Sequence, residues 1–295
     1  MSIINQYKTS LKVIEAEEIV DLLFFRPLAF LFVKSVYRTK ISPNQITMLS
    51  LFCGIGAGVS IAIATSESIF IAFILLIFWT VLDCADGQLA RLKKNGTPFG
   101  RLLDGIADYT SYLFIMIGIS IWGSTNWNSA IVWWIIVIGA SLLYAWQEVL
   151  VDFYRSEYIA NALGKSKFVE SELEEFKAEY EIYKKMDGQK LKKLILSVYI
   201  KYSSVQYSNK RALETKLISP NEYIKANKII IRLWNLNGTS THAFVLIILA
   251  FFNRFDIFIW YTLLFGTVWT LLLLFFQKNI DRNTIKLFEA VPTKT

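Results

Sequence analysis

The chain has 295 residues, with 31 Lys and Arg against 24 Asp and Glu, a formal net charge of +7. Hydrophobic residues make up 54% and charged residues only 19%, against roughly 25% in globular domains, and the mean hydropathy is +0.42. These values exclude an ordinary soluble domain, and no basic stripe interleaved with aromatics points to nucleic acid; in a membrane chain the basic surplus is first a topology signal.

Residues 1–40 read as an N-terminal amphipathic, interfacial segment. Val13, Ile14, Ile19, Val20, Leu22, Leu23 and Phe24 alternate with Glu15, Glu17, Glu18 and Asp21. Arg26, Pro27 and Lys34 cut the apolar stretch that follows, leaving it too short to span a bilayer, so an anchor lying in the interface is predicted. The acidic side chains also argue against a cleavable signal peptide. Ser42-Pro43-Asn44 then forms a helix-start signal.

Six membrane spans are predicted, over roughly 46–65, 68–86, 104–123, 129–151, 238–254 and 256–277, each near the 20 apolar residues a crossing helix needs. The fold class is therefore an all-α integral membrane protein. Its predicted parts are the segment 1–40, four spans in 41–151, a polar helical insertion at 152–237, two spans in 238–277 and a tail at 278–295. With the N-terminus inside, only Arg254 of all Lys and Arg residues falls in the outside loops, which places both termini and the insertion in the cytoplasm. The insertion carries an acidic half (170–181) and a basic half (184–193) and reads as a solvated helical hairpin. Cys53 and Cys84 fall in or beside predicted spans and read as small apolar side chains rather than a disulfide framework.

The chemistry concentrates in one stretch, Asp83-Cys84-Ala85-Asp86-Gly87-Gln88-Leu89-Ala90-Arg91, then an eight-residue spacer, then Gly100-Arg101-Leu102-Leu103-Asp104-Gly105-Ile106-Ala107-Asp108. Asp83 and Asp86 are three apart and Asp104 and Asp108 four apart, so each pair shares a helix face. The short connection makes the two helices antiparallel neighbours and brings all four carboxylates together near one membrane surface. Charge at membrane depth costs at least about 2.5 kcal/mol per group. Divalent cations offset that cost, and oxygen ligands suit Mg2+ or Mn2+, with two ions about 3.5–4 Å apart as in phosphoryl-transfer sites. Gly87 and Gly100 leave room for a phosphate or nucleotide against the backbone. Arg91, at the membrane edge, offers a planar fork to a phosphate. Water-facing helix ends, and an ion path through a transporter, are the competing readings of the aspartates; clustering at one face argues against a path.

The stretch resembles the signature of the CDP-alcohol phosphotransferase family, D-x2-D-G-x2-A-R, a seven- or eight-residue spacer, then G-x3-D-x3-D, and agrees at every fixed position. The resemblance implies a membrane enzyme that transfers a phospho-alcohol group from a CDP-linked donor to an acceptor hydroxyl with release of CMP, in phospholipid biosynthesis. It implies that Asp83, Asp86, Asp104 and Asp108 hold the metals and that Asp108 is also the general base. Gly87, Ala90, Arg91 and Gly100 would shape the CDP pocket, with Thr97 near the donor phosphates. CDP-diacylglycerol is the donor favoured; CDP-choline or CDP-ethanolamine acting on a lipid alcohol is the alternative, and a homodimer is carried by analogy. The resemblance is strongest over residues 40–125 and leaves the acceptor and the insertion open. His242, the single histidine, reads as a helix-start residue, and Arg155 and Arg232 as interfacial cations or acceptor-phosphate ligands. Tryptophans 79, 122, 127, 133, 134 and 146 read as interfacial or packing aromatics.

Overall fold

The structure, a computed structural model, describes residues 3–11, 14–162, 168–186, 188–209 and 220–289. Val13 of the N-terminal segment, several residues of the 152–237 insertion and residues 290–295 of the tail lie outside these. The described residues are helices and their connections, with no strand among them. The helices are α1 (Ile3–Ser10), α2 (Arg26–Val36), α3 (Pro43–Ile63), α4 (Ser66–Lys93), α5 (Pro98–Asn126), α6 (Ala130–Ala162), α7 (Phe168–Lys184), α8 (Lys190–Asn209), α9 (Pro220–Asn235), α10 (Thr239–Phe251), α11 (Phe255–Trp260) and α12 (Thr267–Glu289).

Among the described residues, five helices reach membrane-crossing length and hydropathy: α3, α4, α5, α6 and the run Phe255–Arg282, which joins α11 to α12. The protein is a multi-pass integral membrane protein. Ile131, Ile135, Leu142 and Val149 keep one face of α6 exposed and apolar, as a lipid-facing helix requires. The span predicted at 238–254 appears as α10, 13 residues long. At 1.5 Å per residue it covers about 20 Å, less than the hydrocarbon core of about 30 Å. The spans predicted at 68–86 and 104–123 are longer at the aspartate ends, so the motif sits inside continuous helices rather than at their tips.

Local chemistry sets the boundaries. Ser42 and Gln45 form a capping box at the start of α3, with Pro43 in the first turn. Thr65 and Ser68 do the same for α4. Lys94 ends α4 in the left-handed conformation (φ 52°), and Thr97 caps α5 by accepting from the Gly100 N–H at 3.0 Å, with Pro98 in the first turn.

The predicted antiparallel neighbours, α4 and α5, each pack mainly on α3 rather than on one another. Small residues make the α3–α5 crossing close. A Cβ on Gly58 would run into the Phe114 carbonyl, one on Gly118 into the Gly58 carbonyl, and one on Gly54 into Ser111. Helix α3 thus acts as a wedge that fixes the separation of the two motif helices.

The polar 152–237 stretch is not one separate hairpin. Its first residues continue α6, and α9 packs on α6 and α12, where Tyr158, Tyr223, Ile230, Ile231 and Trp234 form a second core. Helices α7 and α8 pair with each other and dock on the start of α5.

Residues 14–36 fold back over the bundle. A 3-10 turn (Ile14–Ala16), a π turn (Asp21–Phe25) and α2 follow one another. An interfacial anchor would turn its charges to water or headgroups. Here Glu17, Glu18, Asp21 and Arg26 are buried instead, because they pair with each other and with distant helices.

Candidate active site

The motif helices bring Asp83, Asp104 and Asp108 together, with one carboxylate oxygen from each lying within 4.8 Å of the others. All three are partly buried. Asp86, one turn along α4, is buried and stands outside this triad; it accepts from the Thr47 hydroxyl of α3. Three clustered carboxylates without a cation would repel one another, and their hard oxygen donors suit a divalent ion. The residues present therefore fit a divalent metal.

These aspartates line a cavity of about 610 Å³. Gly87, Ala90, Arg91, Lys94, Gly96 and Arg101 line it on the motif side. Thr97 and Gly100 are not among the lining residues: Thr97 is the α5 cap, and Gly100 leaves space for the Thr97 hydroxyl and the Asn44 side chain, which a Cβ would meet at 3.2 and 3.0 Å. Gly87 clears room for Arg91, whose guanidinium a Cβ would meet at 3.3 Å. Arg91 Nε donates to the Ser10 carbonyl, and its Nη2 is buried with no hydrogen-bond partner.

Trp79 and Thr80 of α4 also line the cavity, and its far wall comes from residues remote in sequence: Ala16, Glu17, Glu18, Asp21, Arg26, Arg155, Thr239, Ser240 and Ala243. Arg26 donates to Glu17 at 2.9 Å and lies 3.8 Å from Asp21. Burial, reinforced by repulsion from Glu18, pushes the Asp21 carboxyl up to about 6. Gln88 donates to the Arg26 carbonyl at 3.2 Å, and Cys84 Sγ lies 3.7 Å from Asp21, so the N-terminal segment is pinned directly to the motif helix.

His242 is buried, its Nδ1 3.2 Å from the Gly238 carbonyl and its ring edge-on to Tyr144 and Tyr261. It packs the start of α10, as the helix-start reading has it, and does not line the cavity. Arg155 lines it and Arg232 does not. Sequence reasoning missed Glu18, Asp21 and Arg26 as cavity residues, although their alternation with apolar residues was visible. An amphipathic pattern reports that a segment has two faces, not which one meets the protein.

A family model described as CDP-alcohol phosphatidyltransferase matches residues 40–172, a range that includes the whole motif. The matched range, a little under half of the chain, is similar to this family of transferases. The chain is 32% identical over 75 residues to a phosphatidylinositol phosphate synthase of Corynebacterium glutamicum, covering 25% of this chain and 33% of that protein. It is 37% identical over 71 residues to an uncharacterised protein of Aquifex aeolicus, covering 24% of this chain and 35% of that one. The matched segment thus spans about a third of the length of these curated relatives.

Proposed function

We propose that the protein transfers a phospho-alcohol group from a CDP-linked donor, CDP-diacylglycerol in the simplest case, to an acceptor hydroxyl, releasing CMP in phospholipid synthesis. The observation that carries this reading is the meeting of Asp83, Asp104 and Asp108 in one cavity with Arg91. Asp108 takes the proton of the acceptor hydroxyl. The acceptor oxygen forms a bond to the phosphorus next to the transferred group, and the bond from that phosphorus to the oxygen of CMP breaks. Arg91, with Lys94 and Arg101 beside it, binds the donor phosphates, and Ala90 and the Gly87 backbone leave space for the nucleotide. Two Mg2+ or Mn2+ ions, held by Asp83, Asp86, Asp104 and Asp108, would neutralise the pyrophosphate as its charge grows. Thr97 and Gly100 act by setting the start of α5 rather than by touching the donor. The name of the Corynebacterium relative supports phospholipid-type transfer.

In the proposed topology α10 and the Phe255–Arg282 run are a hairpin turned at Asn253, which has φ 53°. It supplies the fifth and sixth crossings, with α10 crossing a thinned region. Connections 64–65 and 127–129 carry no charge and 252–254 carries only Arg254, whereas Arg91, Lys94 and Arg101 line the cavity. This asymmetry supports a cytoplasmic active site.

The test is CMP release from purified protein given CDP-diacylglycerol, an acceptor panel and Mg2+ or Mn2+. Product that requires the metal and disappears in Asp108→Asn is expected. CMP release that survives in Asp108→Asn with the true substrates overturns the assignment of the base.

A further inference from the structure

The far wall of the cavity contains a ready anion site. Helix α10 is preceded by Gly238 at its N-cap, an extended residue with no side chain to offer a cap, so the first N–H groups of α10 need an outside acceptor. Arg155, on α6, points its guanidinium at the same place. A helix N-terminus and an arginine side by side attract a phosphate or carboxylate.

That place is filled by the protein itself. Glu18 Oε1 accepts from Arg155 Nη2 at 3.0 Å and from the Ser240 N–H at 3.4 Å. Its Oε2 accepts from the Thr241 N–H at 2.8 Å and the Thr241 hydroxyl at 2.9 Å. Glu18 is 2% exposed. A Cβ on Gly238 would overlap the Glu18 carboxylate, so the backbone itself is shaped to admit this side chain. Asn235 fastens the arrangement from both sides. Its amide donates to the carbonyls of Glu15 and Glu17 at 3.3 and 3.2 Å, and its Oδ1 accepts from Arg155 at 3.3 Å.

The charge balance on this wall points the same way. Three carboxylates, of Glu17, Glu18 and Asp21, face two guanidinium groups, of Arg26 and Arg155, and both guanidinium groups are engaged by those carboxylates. An acceptor bearing a phosphate would meet a surplus of negative charge. It would have to displace a carboxylate held by four hydrogen bonds.

We infer that Glu18 is a specificity-determining residue: it occupies the anion site formed by Arg155 and the start of α10, so that the acceptor taken by this cavity is a hydroxyl compound carrying no phosphate of its own. The carboxylate surplus favours an acceptor that is neutral or bears an amine. This rests on the transfer reaction proposed above.

The experiment compares matched acceptors in the CMP-release assay with CDP-diacylglycerol: glycerol against glycerol phosphate, inositol against inositol phosphate, and serine and choline as amine-bearing members. The wild type is expected to favour the unphosphorylated partner of each pair by at least about tenfold in kcat/KM. Glu18→Ala, which vacates the site, is expected to narrow that ratio by about tenfold through faster use of the phosphorylated partner. Inorganic phosphate is expected to raise the Tm of Glu18→Ala and leave that of the wild type unchanged. A wild type that prefers glycerol phosphate or inositol phosphate overturns the inference, as does a wild-type Tm that phosphate raises as much as it raises that of the variant. Should Glu18→Ala fail to fold, Glu18→Gln keeps the shape and loses the charge, and the wild-type ratios decide alone. Should no acceptor yield CMP, the transfer reading fails, and the phosphate comparison still decides whether Glu18 closes an anion site.

Discussion

The two walls of the cavity are built by opposite means. The motif wall draws its four aspartates, Arg91 and its glycines from 26 consecutive residues on two helices. The far wall joins Glu18 to Arg155 across 137 positions and to Thr241 across 223. The first is held by helical periodicity and by one wedge helix. The second is held by buried ion pairs that exist only when the whole chain is folded. The proposed transfer chemistry resides in the contiguous wall, and the inferred selectivity for the acceptor in the assembled one. Each wall can be perturbed separately.

The largest effect falls on the motif wall. Asp108→Asn is expected to lower kcat by about 10²–10⁴ with the fold intact, as the loss of a general base does. Wild-type-like circular dichroism together with lost CMP release would confirm the assignment. Next, Gly58→Val forces α3 from α5 and is expected to cost about 1–3 kcal/mol, seen as a lower Tm in detergent, with activity falling as the aspartates separate. A smaller effect comes from the α7–α8 pair. Glu179 Oε2 accepts from the Phe99 N–H at 2.6 Å, Glu175 pairs with Arg101 at 2.8 Å, and Phe99 packs against Phe176. Glu179→Ala removes an acceptor at the α5 N-terminus and is expected to cost about 1 kcal/mol in thermal stability. An unchanged Tm would show that the helix pair merely rests on α5.

The smallest effect tests the far wall and depends on pH. The Asp21 carboxyl, pushed up to about 6 by burial and by Glu18, takes up a proton more readily in the folded state than in the unfolded chain, where it titrates near 3.8. Its contribution to stability is therefore most favourable below about 4 and is lost as pH rises through 6. Asp21→Asn removes the charge and is expected to be more stable than the wild type by about 1 kcal/mol at pH 8, with the gain vanishing toward pH 4. Tm measured at both values checks this. A gain that persists at low pH would trace the effect to packing rather than to charge.

The contrast also explains what could be read in advance. Span positions, the Ser42-Pro43 helix start and the sharing of a face by Asp104 and Asp108 follow from neighbours three or four residues apart, and they were legible. The separation of Asp86 from the other three was not, since it depends on Thr47 reaching across from α3. Nor was the burial of Glu17, Glu18 and Asp21. Their pattern is the same whether the polar face meets headgroups or an arginine 137 residues away. The short α10 was blurred because its apolar residues run almost continuously into α11, and the turn at Asn253 interrupts them without a proline or glycine.

The reach of Glu18 has a consequence for how the protein is made. Residues 14–26 leave the ribosome well before their partners Asn235 and Thr241. Until those partners are made, the contacts that hold Glu18 on the far wall cannot form. Only a chain carried past residue 241 can complete them, so a product cut short before that point keeps the four aspartates and lacks the Glu18 clasp opposite them.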